Sequence, residues 1–368
     1  MTLRKHRLMV AGGGTGGHLF PGLAVAEVWS NENESDAVFL GSPTGMEASV
    51  VPKYGFPFFP LESRRLKNSS IRQRIASLLR MPFIIFNAWQ IIKQTQPDCV
   101  LGVGGYVSGP AVLAASLAGI PTAVAEQNAR PGLTNRLLGR WVRRVYTAFP
   151  EAASYFPSRK VRMLGNPVRS SFAPSDMPAF GERRRLLVLG GSQGAKAINE
   201  TMPKVLERVR ERFQSFEVLH QTGKGRDSLV RAAYDAAGIT DVRVSAFIDD
   251  MAEEVNRAHL IVGRAGATTV AELAAVGRPA YFIPFPFAAD DHQAANASSL
   301  VDCGAARMIR ESEISIEAWA DELVELLKDE ALLVDMGREA RNRGVPGAAQ
   351  HIVDDLRTLA SLPTRSAL

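Results

Sequence analysis

RLMVAGGGTGGHLFPGLAVAEVW, residues 7–29, decides the fold. A short apolar run at 7–11 enters the glycine-rich GGGTGGH at 12–18, and the apolar residues that follow recur at helical spacing. Strand, glycine turn and helix make a βα unit. Outward from it, apolar runs at 37–40, 99–103, 122–125 and 145–147 alternate with helical stretches, which predicts a parallel sheet covered by helices. LGNPVR at 164–169 is followed by SSFAPSDMPAFGERRR, rich in Pro, Ser and charge without periodicity, the expected linker. Directly after it, a run at 186–189 enters GGSQGAKAIN at 190–199, so the second half opens on the same plan. Runs at 217–220, 243–246, 260–263 and 280–283 keep βα spacing, and the helical stretches at 314–328 and 348–359 carry no chemical motif. The prediction is an α/β chain of two Rossmann-like parallel-sheet domains in tandem.

Composition agrees. A chain of 368 residues exceeds what one core usually organises, and 46% hydrophobic with 22% charged residues describe a globular protein without a bias toward disorder. Cys99 and Cys303 lie far apart, neither in a CxxC nor at ligand spacing from a His, which excludes a disulfide framework and a zinc site and fits a reducing compartment. The apolar run after the basic opening MTLRKHR is too short for a signal peptide, and no window reaches the apolar length of a membrane span; the nearest, 81–92, contains Asn87 and Gln90. The chain is therefore expected in the cytoplasm. A net charge of +5 allows an anionic partner.

The first glycine turn satisfies GxGxxG through Gly12, Gly14 and Gly17, but a dinucleotide site needs an acid at the end of the second strand, and there VFL at 38–40 runs into GSP. It is not a P-loop, since no Lys followed by Ser or Thr closes it. What remains is a loop of backbone N–H groups at a helix N-terminus, suited to an anion or a sugar hydroxyl and ending in the imidazole of His18. A tight turn alone would not need five glycines and a His. The second turn, 190–194, offers amides, a hydroxyl and a carboxamide to a diphosphate. A third helix start, RAGATTVAEL at 264–273, places Glu272 one turn in, where a carboxylate suits a ribose diol or simply complements the helix dipole.

Taken together, GGGTGGHLFPGLAVAE, GVGGYVSGP (102–110), AEQNARPGLTNR (125–136), GNPVR (165–169), GGSQGA, FIDDM (247–251) and RAGATTVAEL closely resemble the MurG family, over nearly the whole chain. That family comprises the bacterial UDP-N-acetylglucosamine:undecaprenyl-pyrophosphoryl-muramyl-pentapeptide transferases of glycosyltransferase family 28. The resemblance implies the GT-B class, two Rossmann-like domains facing across a cleft: residues 1–165 for acceptor and membrane, 166–345 for UDP-N-acetylglucosamine, and a C-terminal helix at 346–368 packing back toward the first domain. It implies donor contacts from the backbone of Ile248 to uracil, Glu272 to ribose, and Ser192, Ala267, Thr268, Thr269 and Val270 to the diphosphate, with Ala271 also at the donor. Arg169 and Arg264 would approach the donor, Gln293 and Asn128 would hold the sugar, and Thr15, Gly16 and Gly17 would close the site. Gly104, Gly105, Tyr106 and Asn135 are the acceptor candidates. The sequence departs from the family at Ala125, where a His is common, and in the loop 284–291.

Inverting transfer needs a base on the acceptor side: His18 is the first choice and Glu126 the second. Helix N-termini with Arg264 or Arg169 would stabilise departing UDP, and the absence of a DxD motif predicts that no metal or other cofactor is needed. Arg64, Arg65, Lys67, Arg72, Arg74 and Arg80 precede MPFIIF at 81–86 and Trp89. Phe83, Ile84, Ile85, Phe86 and Trp89 beside basic residues suit anionic phospholipid, so the expected location is peripheral, on the cytoplasmic face of the inner membrane. The expected partners are the UDP-sugar, the polyprenyl-linked acceptor and that lipid, and not nucleic acid. The alternatives are a UDP-N-acetylglucosamine 2-epimerase, a dinucleotide oxidoreductase and a non-catalytic sugar-nucleotide-binding membrane subunit.

Overall fold

The computed structural model describes residues 5–31, 35–62, 71–191 and 194–362, with 71–79 described by their backbone alone. The chain divides into two compact units, Met1–Ser170 with Val345–Leu368, and Ser171–Gly344.

In the first unit, β1 (His6–Gly12) leads into α1 (Gly16–Ser30), then β2 (Ser35–Gly41), the one-turn α2 (Glu47–Val50) and the short β3 (Phe58–Pro60). A long helix α3 (Ile71–Thr95) precedes β4 (Cys99–Gly104) and α4 (Ser108–Leu117). The chain continues through β5 (Thr122–Glu126), α5 (Leu133–Leu138), β6 (Arg144–Thr147), α6 (Pro150–Ala153) and β7 (Val161–Met163). All seven strands are parallel, in the order β3-β2-β1-β4-β5-β6-β7. Alternation explains why the strands read as continuous apolar runs. Leu8 and Val10 of β1 point into one core with Leu23 and Trp29 of α1, while Met9 and Ala11 point into another with Ala88 and Ile92 of α3 and Ala111 of α4.

The second unit repeats the plan: β8 (Arg184–Leu189), α7 (Lys196–Arg210), β9 (Phe216–Gln221), α8 (Asp227–Ala236), β10 (Val242–Ser245), α9 (Met251–Arg257), β11 (Leu260–Gly263) and α10 (Ala267–Val276). It ends with β12 (Ala280–Phe282), α11 (His292–Val301), β13 (Ala306–Met308), α12 (Ile316–Lys328) and α13 (Glu330–Arg343). Its six parallel strands run β10-β9-β8-β11-β12-β13. The chain then returns to the first unit with α14 (Ala348–Leu359), whose Ile352, Val353 and Leu356 are fully buried in the core of Leu8 and Trp29.

The strands anticipated from apolar runs are all present. The edge strands β3, β7 and β13, three residues each, gave no readable run. In each unit the strand order reverses once, at β1/β4 and at β8/β11. Open α/β sheets bind ligands outside the carboxyl ends of the strands at such a reversal, because the loops there diverge and leave a crevice. The glycine turns lie at these two points.

Candidate active site

At the first reversal the glycine loop is held from within. Gly13 N–H donates to Gly104 O at 3.2 Å, and Gly14 N–H donates to Glu47 Oε2 at 2.7 Å. Two amides that the sequence offered to an external anion are thus already used. Thr15 is the N-cap of α1 in extended conformation, without a side-chain capping bond, and it leaves Gly16 and Gly17 as the first helical residues. His18 follows in that first turn, partly buried, with Nδ1 3.3 Å from Gly13 O and 3.4 Å from Thr15 Oγ1. A carbonyl only accepts, so the ring donates from Nδ1 and, when neutral, carries its lone pair on Nε2.

The acceptor candidates Gly104 and Gly105 have a second task. A Cβ on Gly104 would sit 2.9 Å from His18 Cδ2, and one on Gly105 would sit 2.7 Å from Gly13 O. Bare backbone here lets the imidazole and the loop close down on the end of β4. Tyr106 follows, half-buried, just before α4.

Glu126 ends β5 and is buried. Its Oε1 accepts from Asn128 N–H at 3.0 Å and Asn128 Nδ2 at 3.2 Å; its Oε2 accepts from Gly132 N–H at 3.2 Å and Asn135 Nδ2 at 2.9 Å. Four donors on one carboxylate fold the loop 127–132 around it and orient Asn128. Asn135 is itself buried and also donates to Ala125 O at 3.0 Å, which makes it a support of this loop rather than a surface contact. Arg169 packs over the Phe20 ring at 4.5 Å, near Glu27, whose pKa burial raises and Arg169 opposes.

At the reversal of the second unit, Gly190 N–H donates to Gln221 O at 2.8 Å. Beneath the turn lies a buried chain that the sequence did not announce. Asn199 Nδ2 donates to Thr222 O at 2.9 Å, Asn199 Oδ1 meets His220 Nε2 at 3.1 Å, and His220 Nδ1 meets Tyr234 Oη at 2.9 Å. An amide oxygen only accepts, so His220 donates from Nε2 and accepts the tyrosine proton at Nδ1. Burial pushes the His220 pKa down to about 3 and keeps it neutral.

The third helix start is α10. Its N-cap, Gly266, gives no side-chain cap. Ala267, Thr268, Thr269 and Val270 form its first turn, Ala271 follows half-buried, and Glu272 is buried. Arg264 donates to Ile283 O at 2.9 Å and Pro284 O at 3.1 Å, and pairs with Glu311 at 2.7 Å. Its charge is committed to tying β11 to the loop after β12, an arrangement the spacing of RAGATTVAEL did not reveal. From α11, Gln293 Oε1 accepts the N–H of Phe285 in the same loop at 2.9 Å. Ile248 is buried; among the described residues no backbone hydrogen bond engages it, and Asp250 two residues on caps α9 by accepting Glu253 N–H at 2.9 Å. Ser192 lies outside the described residues.

On α3, Arg80, Phe83 and Phe86 are exposed, and Trp89 stacks on Phe86 at 5.7 Å with Lys93 Nζ 4.1 Å above its ring. Ile84 and Ile85, partly buried, pack with Trp89 against the core beneath. Arg64, Arg65 and Lys67 lie outside the described residues, as do the side chains of Arg72 and Arg74. A second apolar stripe was missed. Leu133, Leu137 and Trp141, spaced by four on α5 and its continuation, stand 71%, 56% and 64% exposed. Arg136 packs on the Tyr155 ring, Lys160 Nζ bonds Arg140 O at 2.6 Å, and Glu151 is the single acid between Arg130 and Arg169. No helix is long and apolar enough to cross a membrane, and no cluster of three or more His, Cys, Asp or Glu could hold a metal ion, both among the described residues.

Two parallel Rossmann sheets in succession, each with its loops gathered at the reversal of strand order, define the GT-B class. Residues 8–147 match the glycosyltransferase family 28 N-terminal domain and residues 185–352 the glycosyltransferase family 28 C-terminal domain. The chain belongs to glycosyltransferase family 28. It is 48% identical over 353 residues to the UDP-N-acetylglucosamine--N-acetylmuramyl-(pentapeptide) pyrophosphoryl-undecaprenol N-acetylglucosamine transferase of Anaeromyxobacter sp. (strain K), covering 95% of this chain and 91% of that protein. Among solved structures, MurG of Acinetobacter baumannii matches with a TM-score of 0.76 at 35% identity, over 96% of this chain and 99% of that one. A UDP-GlcNAc 2-epimerase from Neisseria meningitidis, covering 96% of this chain and 100% of that one, reaches a TM-score of 0.68 at 13% identity, a likeness of fold alone.

Proposed function

We propose that this chain transfers N-acetylglucosamine from UDP to the 4-hydroxyl of undecaprenyl-pyrophosphoryl-N-acetylmuramyl-pentapeptide, with inversion, in peptidoglycan synthesis. The observation that carries the mechanism is the His18 ring, anchored through Nδ1 to Gly13 O so that Nε2 can take a proton. The acceptor oxygen attacks C1 of the sugar as the bond from C1 to the diphosphate oxygen breaks with its electron pair. The hydroxyl proton passes to His18 Nε2, and the α-linked donor yields a β-linked product. Glu126, saturated by four donors, keeps the loop of Asn128 in shape and is assigned no proton transfer.

The donor is assigned to the second unit. The first amides of α10 take the diphosphate, where the helix dipole offsets the charge that develops on UDP, and Arg264, already paired with Glu311, supports the loop instead. Ile248 offers both backbone groups to uracil, Glu272 takes the ribose hydroxyls, and Gln293 takes the sugar. Transfer of labelled N-acetylglucosamine to the muramyl lipid in EDTA, for wild type and His18→Ala, tests the reading. Turnover in the wild type with a loss of about a hundredfold in the variant is the expected result. Donor binding without transfer overturns the acceptor assignment and favours the epimerase or binding-subunit alternatives.

The location follows as a peripheral one on the cytoplasmic face of the inner membrane. Exposed Phe83 and Phe86 on α3 and the Leu133, Leu137 and Trp141 stripe on α5 supply apolar area, and the basic residues near them favour an anionic leaflet, about 1 kcal/mol each. Leu137→Ser with Trp141→Ser is expected to lower binding to anionic vesicles about fivefold or more while sparing turnover of a short-chain, water-soluble acceptor. Undiminished vesicle binding removes α5 from the membrane surface.

A further inference from the structure

Glu47 opens α2 and is 1% exposed, yet among the described residues no basic side chain pairs with it. A bare carboxylate in an interior is costly unless donors surround it. Here the donors are backbone: Ser42 N–H reaches Oε1 at 2.8 Å and Gly14 N–H reaches Oε2 at 2.7 Å. Space for the carboxylate comes from three glycines on three segments. A Cβ would stand 2.5 Å from the Glu47 carboxyl carbon at Gly13, 2.3 Å from Oε1 at Gly45 and 2.4 Å from Cγ at Gly41. The chain thus carries its own anion under the glycine loop, on an amide that glycine-turn folds usually present to a ligand phosphate.

We infer that Glu47 is a positioning residue for the transfer, setting the direction of the Gly13 carbonyl and through it the orientation and tautomer of His18. The loop is pinned on both sides of that carbonyl, by Gly13 N–H on Gly104 O and by Gly14 N–H on Glu47, and the carbonyl between the two pins accepts His18 Nδ1–H. Releasing one pin lets the peptide between Gly13 and Gly14 rotate, which tilts the imidazole and weakens its preference for Nδ1–H. A carboxamide at position 47 has the same size but offers one oxygen, and its NH2 group would face an N–H, so Glu47→Gln releases a pin without emptying the space.

This inference rests on the reading of His18 as the base, and a double-mutant cycle separates the two. Glu47→Gln is expected to lower kcat about thirtyfold with the KM for UDP-N-acetylglucosamine within about threefold of wild type, a misplacement effect on the reacting geometry. Placed on His18→Ala, the same change should cost less than about twofold more, since there is no base left to misplace. Gly45→Ala, whose Cβ would stand 2.3 Å from Oε1 and force the carboxylate to shift without removing it, should repeat the kcat loss and serves where Glu47→Gln folds poorly, as judged by circular dichroism and Tm. Losses that multiply in the double variant, or an undiminished kcat in both Glu47→Gln and Gly45→Ala, overturn the positioning role while the base stands. A near-wild-type His18→Ala overturns the base, and the positioning role with it.

Discussion

Each unit sets an imidazole beside its first glycine turn, and the two are opposites. His18 sits partly buried on the first turn of α1, donates from Nδ1 to a loop carbonyl and keeps its lone pair on Nε2. His220 sits fully buried at the end of β9, donates from Nε2 to Asn199 and receives Tyr234 at Nδ1, with both nitrogens spent and the pKa pushed down to about 3. Residue type is shared; the element, the burial and the partners all differ. Hydrogen-bond partners and burial, rather than residue type, distinguish the two imidazoles.

The comparison breaks first at His18. His18→Ala should cost about a hundredfold in kcat while Tm stays within a degree or so, because a partly exposed first-turn residue carries little packing. His220→Leu should do the reverse. It leaves Asn199 Oδ1 and Tyr234 Oη buried without a partner and should lower unfolding stability by about 2–3 kcal/mol, with kcat of the folded fraction unchanged. Equal effects of the two variants on kcat would erase the distinction. The smallest effect is on pH. The folded His220 resists protonation while the unfolded one titrates near 6.5, so its stabilisation is fully present above about pH 6.5 and is lost as the pH falls toward 3. Chemical denaturation at pH 6.5 and pH 5 should differ by about 1–2 kcal/mol in the wild type, and by less in His220→Leu.

Much of the fold is legible in the sequence. Continuous apolar runs fixed the interior strands because parallel strands are covered on both faces, and the repeated strand, glycine turn and helix plan located both reversal points. Three-residue edge strands are too short to show a period, so β3, β7 and β13 were silent. At the site, motifs point to loops and helix starts but do not record the partners of each charged group. Spacing does not show that Arg264 is tied to two carbonyls and Glu311, or that Glu126 accepts from four donors. Glu47 carried no motif at all; the available signal was a cluster of glycines at 41 and 45 around a lone acid, with the glycine loop many residues earlier. Partners distant in sequence decide what a charged group does, and spacing does not record them.

The return of the chain to its first unit has a consequence for biosynthesis. The second unit is one uninterrupted stretch, Ser171–Gly344, whereas the first lacks α14 until that stretch has been made. Until Ile352, Val353 and Leu356 arrive, with Arg357 reaching Ser35 Oγ at 2.6 Å and Asp355 receiving the Tyr146 hydroxyl at 2.8 Å, the face of the sheet around Leu8 and Val10 has no complete cover. On the ribosome, the half translated second can therefore finish folding first, and the half translated first holds an unsealed apolar face through the synthesis of its neighbour.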